Sequence, residues 1–303
     1  MNKVLILGSH GMGDSIQSLQ CAHFVSNQTG KENVDVISCT RDEVFHPLNH
    51  LFGDLFELFQ HPKKETWGHD NYILNNQSEL ESLSYYNEIY YSIPDLLYHH
   101  PLAFDYQKYN TNPQLIKQTR LLAHKYKPTK RVYLGLCSST DGYLYNNISQ
   151  LIRRLGQELP DFEFYFPNVK VWADKMMDYD DLSNMPSNVT IHENPNFCES
   201  LEIMKTCCYG VYTCNGPSHS AFQLGQPRLL LDPQYNKVLW CARWREDMSE
   251  CVDINTSVTD VVNIVKSNLL VPSTTLIPRQ KVLDILIKND YQVDWRKELL
   301  WKY

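Results

Sequence analysis

The sequence predicts an α/β protein that contains two doubly wound, parallel sheets. Short apolar runs alternate with longer segments in which apolar residues recur at helical spacing, and this alternation is typical of repeated strand–helix units. The alternation begins at residue 3, is interrupted by a polar stretch over residues 104–130, and begins again at residue 132. Each of the two series opens with an apolar strand that is followed by a turn of small residues.

The first series contains three predicted strands. Residues 3–8 form a short apolar run that ends in glycine, which is typical of a buried parallel strand, and residues 34–38 form a second such run. Residues 15–27 are predicted to form the helix between them. Residues 43–60 have the pattern of a helix with a loop, and a further strand is expected at residues 89–92.

The second series is longer and continues almost to the end of the chain. Its strands are predicted at residues 132–137, 162–166, 189–192, 210–213 and 228–232. Its helices are predicted at residues 146–159, 199–207 and 217–225, and the segment from residue 277 to the end of the sequence has an amphipathic, helical pattern.

The repeated pattern predicts two Rossmann-like domains whose parallel sheets face each other across a cleft. A chain of 303 residues is long enough for each domain to bury its own core. We place the N-terminal domain at residues 1–128 and the C-terminal domain at residues 129–272. Residues 273–303 are expected to form a C-terminal helical tail.

The composition argues against several kinds of partner. The net charge is −7, from 28 basic and 35 acidic residues, whereas a protein that docks on duplex nucleic acid is normally basic, so nucleic acid is not an expected partner. No run of about 18 apolar residues occurs, so we expect no transmembrane segment, which leaves peripheral membrane contact open. The N-terminal apolar run is too short for a signal peptide, so we expect a cytoplasmic protein.

The cysteines and histidines do not form an obvious metal site. The nine cysteines contain no Cys-x-x-Cys pair, and their odd number fits reduced thiols better than a disulfide framework. The histidine pairs His99-His100 and His46/His50 have no third ligand at a suitable spacing. We therefore expect neither a structural metal nor a catalytic metal.

A glycine-rich turn follows the first predicted strand and contains Gly11 and Gly13. Such a turn lets the backbone approach a ligand and directs helix N–H groups at an anion. Its spacing differs from the G-x-G-x-x-G dinucleotide fingerprint, and the second strand ends in Ser38-Cys39-Thr40-Arg41 rather than in an acidic residue, which is wrong for NAD. Arg41 would suit an NADP phosphate, so an NADP-dependent reductase stays open as an alternative.

Asp14 follows this turn at the start of the predicted helix, where the helix dipole favours the ionised carboxylate. Two interpretations are open. Asp14 is either an ordinary N-cap residue, for which Asp is a preferred type, or a general base that takes a proton from a hydroxyl group.

The segment from Thr213 to Pro227 follows a predicted strand and opens a predicted helix. In an open α/β sheet the ligand binds outside the carboxyl ends of the strands, so the first N–H groups of this helix are expected to face the crevice. Gly216 permits a tight turn and Pro217 suits the first helical position. A pyrophosphate would bind against the exposed N–H groups.

Two motifs resemble those of the ADP-heptose:lipopolysaccharide heptosyltransferases, which form glycosyltransferase family 9. The first is Gly216-Pro217-Ser218-His219-Ser220-Ala221 followed by Leu224-Gly225-Gln226-Pro227, which resembles the family pattern Asp-Ser/Thr-Gly-x-x-His-x-Ala and the helix and proline after it. The second is Gly11-Met12-Gly13-Asp14, which resembles the Met-Gly-Asp turn whose Asp acts as the base in that family. The two motifs lie on suitable elements and in the same order as in the family.

This resemblance implies a glycosyltransferase-B fold and a metal-independent, inverting transfer of sugar from a nucleotide-sugar to a glycan or another hydroxyl acceptor. The nucleotide-sugar is a co-substrate, and no further cofactor is implied. The N-terminal domain would bind the acceptor beside Asp14, and the C-terminal domain would bind the donor. The implied donor-binding residues are Asn215, Gly216, Pro217, Ser218 and His219.

Three further predictions concern the donor site. Ser138 and Ser139 follow the first strand of the second series and would contact phosphate oxygens, although ordinary turn residues have the same composition. Arg243 and Arg245 would contact the diphosphate or an acidic acceptor, or else form a solvated helix face. His219 would donate a hydrogen bond to a donor phosphate or brace the turn, or else be a buried histidine with a structural partner.

The sequence departs from the family pattern immediately before Gly216, the glycine of the first motif. The Asp and the Ser/Thr of the family are replaced by Cys214 and Asn215. Because that Asp lies in the donor site of the heptosyltransferases, this substitution leaves the donor open. It also leaves open a non-catalytic nucleotide- or glycan-binding protein that has kept the fold.

Overall fold

The structure of the protein is a computed structural model. It describes residues 4–8, 34–38, 58–60, 88–90, 125–138, 145–169, 182–213, 215–232 and 249–270, together with the single positions 13, 16, 19, 22, 26, 30, 46, 49 and 122. The predicted tail at residues 273–303 lies outside these residues, and the predicted domain boundary after residue 128 stays a prediction.

Ten strands and four helices have both of their ends within the described residues. The strands are β1 (Val4–Gly8), β2 (Val34–Ser38), β3 (Leu58–Gln60), β4 (Glu88–Tyr90), β5 (Thr129–Gly135), β6 (Glu163–Asn168), β7 (Val189–Glu193), β8 (Cys207–Thr213), β9 (Arg228–Asp232) and β10 (Ser249–Asp253). The helices are α1 (Ile148–Glu158), α2 (Phe197–Met204), α3 (Gly216–Leu224) and α4 (Val258–Leu270). No helix in the described part of the chain is long and apolar enough to cross a membrane.

The first sheet has four strands in the order β3-β2-β1-β4, and all of its strand pairs are parallel. The positions that are described between β1 and β2 are helical from residue 13 to residue 26, where a helix is predicted. Ile16, Leu19, Ala22 and Ser26 are buried, and their spacing puts them on one face of that helix. This buried face is what packing a helix against a parallel sheet requires.

The second sheet has six strands in the order β10-β9-β8-β5-β6-β7, again with parallel pairs throughout. One face carries a continuous apolar core that includes Leu134 of β5, Val211 of β8, Ile152 of α1 and Val262 of α4. Successive side chains of a strand point to opposite faces of the sheet, so the side chains between these core residues point to the other face. The α/β class and the parallel sheets predicted from the sequence are confirmed.

The other face of the second sheet is built around a buried tyrosine. The Tyr212 ring stacks on the Tyr133 ring with centroids 5.6 Å apart, and its hydroxyl donates to Gln226. A Cβ atom on Gly135 would lie 2.3 Å from the Tyr212 ring, and one on Gly210 would lie 2.2 Å from it. The two glycines therefore provide the space in which this ring lies flat on the sheet.

The chain segment before β5 is bonded to the second sheet and to α3. The Leu122 N–H donates to the Gln223 carbonyl oxygen at 3.1 Å, and the Lys127 N–H donates to the Lys205 carbonyl oxygen at 2.9 Å. The Tyr126 hydroxyl donates to the carbonyl oxygen of Cys207, the first residue of β8, at 3.0 Å. Leu122 and residues 125–128 therefore pack against the second sheet and its helices.

The edge strand β3 corrects one prediction from the sequence. It lies within residues 43–60, which were expected to form a helix with a loop; the described positions 46 and 49 are helical as expected, whereas residues 58–60 form a strand. The apolar residues Leu55, Leu58 and Phe59 suit either structure, because short apolar runs do not distinguish a helix from a strand. These residues form a strand because β3 pairs with β2, and a local sequence pattern does not predict that pairing.

The last strand and the last described helix were not predicted. β10 is short and largely polar, and it becomes a strand through parallel pairing with β9. α4 buries Val258, Val261, Val262 and Val265 at helical spacing. Valine has a lower helix propensity than leucine or alanine, which obscures the helical pattern in the sequence.

Replacing Gly210 by alanine is expected to destabilise the protein. The added methyl group would overlap the Tyr212 ring, whose movement is blocked by Tyr133, so the loss of unfolding free energy should be about 1–3 kcal/mol. Denaturant unfolding measures this loss. In a Tyr212→Leu background the same substitution should have a smaller effect. An equal loss in both backgrounds would contradict the proposed packing.

Candidate functional site

The crevice of the second sheet lies where the strand order changes direction. From β5 the chain runs outward to β6 and β7, then returns to β8 and runs outward on the other side to β9 and β10. Ligands of open α/β sheets bind at such a switch point, outside the carboxyl ends of the strands. The start of α3 lies at this switch point because it follows β8 directly.

The Asn215 side chain joins the two strands that flank the crevice. Its Nδ2 donates to the Gly135 carbonyl oxygen at 2.7 Å and to the Cys137 carbonyl oxygen at 2.8 Å, both at the end of β5. The same nitrogen lies 3.2 Å from Thr213 Oγ1, at the end of β8. One amide group therefore holds together the two chain segments that leave the switch point.

Asn215 is also the N-cap of α3. Its Oδ1 accepts a hydrogen bond from the Ser218 N–H at 3.0 Å, and the buried Ser218 hydroxyl donates to the Asn215 carbonyl oxygen at 2.6 Å. Carbonyl oxygens only accept, so the amide nitrogen must face β5 and the amide oxygen must face the helix. An aspartate, serine or threonine side chain would not make both sets of bonds.

The cap leaves few backbone donors at the start of α3. The Ser218 N–H is bonded to Asn215, and Pro217 has no N–H, so the Gly216 N–H is the donor that this first turn keeps for an anion. The sequence suggested a larger set of N–H groups. The positive end of the helix dipole is still directed at the crevice and favours a negative charge there.

Gly13 is helical, so it lies in a helical turn after β1 and not in the glycine turn that the sequence predicted there. This helical turn after β1 reaches the start of α3. A Cβ atom on Gly13 would lie 2.7 Å from Cδ2 and 2.9 Å from Nε2 of His219, so the imidazole ring packs directly on the Gly13 backbone. In the first sheet the strand order changes direction between β1 and β4. The contact therefore brings the switch-point turn of one sheet against the switch-point helix of the other.

The buried tyrosine side chains beneath this crevice are neutral, and so is the buried Cys207 thiol at the opposite end of β8. Burial raises the pKa of the Tyr133 and Tyr212 hydroxyls well above their usual range, and burial also raises the pKa of the Cys207 thiol. All three groups are protonated at neutral pH. They support the sheet and do not supply a proton acceptor or a nucleophile.

The structure brings together some of the residues that the sequence singled out. Gly13 and His219 are in contact, and Asn215, Gly216, Pro217 and Ser218 form the adjoining start of α3. Ser138 follows β5 and is half-buried. It comes directly after Cys137, whose carbonyl oxygen accepts a hydrogen bond from Asn215. Several predicted site residues lie outside the described residues, namely Gly11, Asp14, Ser139, Cys214, Arg243 and Arg245.

Two features of the site were not predicted. Asn215 was identified as a donor-binding residue, but its bonds to β5 were not foreseen. Asp232 is fully buried at the carboxyl end of β9, the strand next to β8, and was not singled out. Its position at the end of an apolar run was visible in the sequence, since an acidic residue after a buried strand points to the ligand edge of the sheet.

Solved heptosyltransferase structures share this architecture. E. coli heptosyltransferase WaaC, solved with ADP-2-deoxy-2-fluoro heptose, superposes with a TM-score of 0.55 at 12% sequence identity, over 88% of this chain and 99% of that chain. A glycosyl transferase family 9 protein from Veillonella parvula gives a TM-score of 0.50 at 9% identity, over 95% and 96% of the two chains. This chain has the heptosyltransferase fold.

The heptosyltransferase fold is shared by other sugar-nucleotide enzymes. The UDP-GlcNAc 2-epimerase from Neisseria meningitidis, solved with UDP-GlcNAc, superposes with a TM-score of 0.52 at 12% identity, over 95% of this chain and 100% of that chain. No protein-family model and no curated protein matches this chain by sequence. The heptosyltransferase-like fold that two short motifs predicted is thus confirmed by structural similarity.

Replacing Asn215 by aspartate should destabilise the protein more than replacing it by serine. A carboxylate has no N–H to donate, so the carbonyl oxygens that now lie 2.7 and 2.8 Å from Nδ2 would face a negative oxygen. We expect losses in unfolding free energy of about 3 kcal/mol for aspartate and about 1 kcal/mol for serine, which keeps the cap. Denaturant unfolding compares the two variants, and a more stable aspartate variant would contradict the described bonding.

Proposed function

We propose that this chain is a metal-independent, inverting glycosyltransferase that moves a sugar from a nucleotide-sugar donor to an acceptor hydroxyl. The observation that supports the proposal is the contact between Gly13 and His219. It joins the turn after β1 to the start of α3, and each of these lies at the switch point of its own sheet. A donor bound at one turn would therefore present its sugar to groups on the other turn.

The donor diphosphate would bind at the start of α3. The Gly216 N–H would donate to a phosphate oxygen, and the helix dipole would stabilise the negative charge. The Ser138 hydroxyl follows β5 at the same crevice and would supply a further donor. Asn215 would hold these donors in place and would not bind the diphosphate through its side chain, because its amide nitrogen and oxygen are bonded to the protein. As the bond to the leaving diphosphate breaks, these groups would stabilise the charge that develops on its oxygen.

The acceptor side would be supplied by the turn after β1. Asp14 follows Gly13 directly, so its backbone begins one residue from the His219 contact. As general base, Asp14 would take the proton of the acceptor hydroxyl while the hydroxyl oxygen attacks the anomeric carbon. Attack from the side opposite the diphosphate inverts the configuration at that carbon. Close packing of the two turns would exclude water, whose attack would hydrolyse the donor.

A non-catalytic nucleotide- or glycan-binding protein is the second candidate. The cap on α3 removes the Ser218 N–H from the set of free donors, and Pro217 has none to offer. Cys214 also stands where the resembled family has its donor-site Asp. Fewer donors would weaken stabilisation of a leaving diphosphate more than they would weaken the binding of a neutral sugar.

Asp14→Asn should lower turnover of the nucleotide-sugar by about 100-fold or more, since a general base contributes about 10²–10⁴-fold. The donor is first selected from ADP-, UDP- and GDP-linked sugars by thermal shift, because a ligand of the folded state raises Tm. Release of nucleoside diphosphate then measures turnover. Asp161→Asn is the matched control, since Asp161 is exposed in the turn before β6, at the opposite end of the sheet.

The outcomes separate the candidates. Donor binding without turnover by the unaltered protein would support the binding protein, and turnover that survives Asp14→Asn would contradict the assigned base. Activity should persist in EDTA; its loss would contradict metal independence, and Asp178-Tyr179-Asp180, which lies outside the described residues, would then be the first place to examine. An epimerised sugar detected by NMR would assign the chain to an epimerase reaction instead.

A further inference from the structure

We propose that the His219 ring is a positioning residue that sets the distance between the turn after β1 and the start of α3. This inference rests on the proposed function and names a residue that would place Asp14 relative to the donor. The observation behind it is the packing of the ring on Gly13, where a Cβ atom would lie 2.7 Å from Cδ2. Any side chain at residue 13 would displace either the ring or the turn.

The ring is held firmly from the α3 side. His219 is 8% exposed, and it follows Ser218, which the Asn215 capping box fixes. Asn215 is itself bonded to the end of β5. The position of the ring therefore follows from the position of the second sheet, and the turn after β1 is the partner that has to adapt.

Glycine at residue 13 is required by this contact and not by backbone conformation. Among the described glycines, those with positive φ are Gly30 and Gly225, and Gly13 is not one of them. An alanine at residue 13 would accordingly fit the local backbone. Its methyl group would lie about 1 Å too close to the imidazole ring, because carbon atoms in contact normally lie about 3.5–4.0 Å apart.

A shift of this size should impair turnover more than donor binding. The donor would bind to groups of the second sheet, which Gly13→Ala leaves in place, while Asp14 would move with the turn. A misplacement of about 1 Å lowers turnover by about 100-fold, so kcat should fall by that factor with little change in the donor KM.

A double-mutant cycle with Gly13→Ala, His219→Ala and the double variant tests the proposal. Removing the ring makes room for the added methyl group, so the double variant should turn over donor faster than Gly13→Ala alone. If His219 served only to bind donor phosphate, the losses of the two single variants would multiply in the double variant. Multiplied losses, or Gly13→Ala with unchanged kcat, would overturn the proposal.

Gly156→Ala is the matched control for crowding. A Cβ atom on Gly156 would lie 2.8 Å from the Val189 side chain, a distance like that at Gly13. Gly156 is on α1, and Val189 begins β7, at the end of the sheet away from the crevice. Gly156→Ala should lower Tm without lowering kcat, and His219→Ala should not compensate for it. A loss of kcat equal to that of Gly13→Ala would contradict a specific positioning effect.

Thermal unfolding keeps this test independent of the proposed activity. If the unaltered protein shows no turnover, the proposed function fails, yet the cycle can still be measured as Tm. A double variant with a higher Tm than Gly13→Ala supports the contact, and additive Tm losses overturn it. If Gly13→Ala does not fold, His219→Phe enlarges the same contact from the other side, and it should lower kcat; an unchanged kcat would overturn the proposal.

Discussion

The crevice depends on the amide group of Asn215. This group donates to two carbonyl oxygens at the end of β5 and accepts from the first turn of α3, so it fixes strand and helix together. Without it, several buried polar groups would lose their partners at the same edge of the sheet, which is strongly destabilising. Because these bonds are internal to the protein, the protein alone holds this edge of the sheet in place, and a ligand of the kind proposed would not have to order it.

Glycine and tyrosine together determine how the chain supports this crevice. Tyr212 lies flat over Gly135 and Gly210, so β5 and β8 are braced from below by an aromatic ring and joined at their ends by Asn215. His219 then projects from α3 towards Gly13. At each of these points a missing Cβ lets a ring approach backbone, and the resulting packing is tight enough for small displacements to matter.

The sequence predicted the sheets better than the site because the two depend on different information. Strand–helix alternation is a local pattern, which is why β2 and β9 were predicted at their observed bounds, whereas β3 and β10 depend on pairing at a sheet edge. The Asn215 bond to Gly135 joins residues 80 positions apart. Its formation depends on β5 and β8 being neighbours, and the Gly13 contact depends on how the two sheets meet. A short sequence motif predicts neither of these two relations.

The segment that precedes β5 has a practical consequence for dividing the chain. Leu122, Tyr126 and Lys127 are bonded to α3, to β8 and to the residue after α2. A fragment that starts at residue 129 would leave the acceptors of these bonds without their donors and would uncover the surface beneath Leu122. A recombinant fragment that carries the second sheet should therefore begin upstream of Leu122.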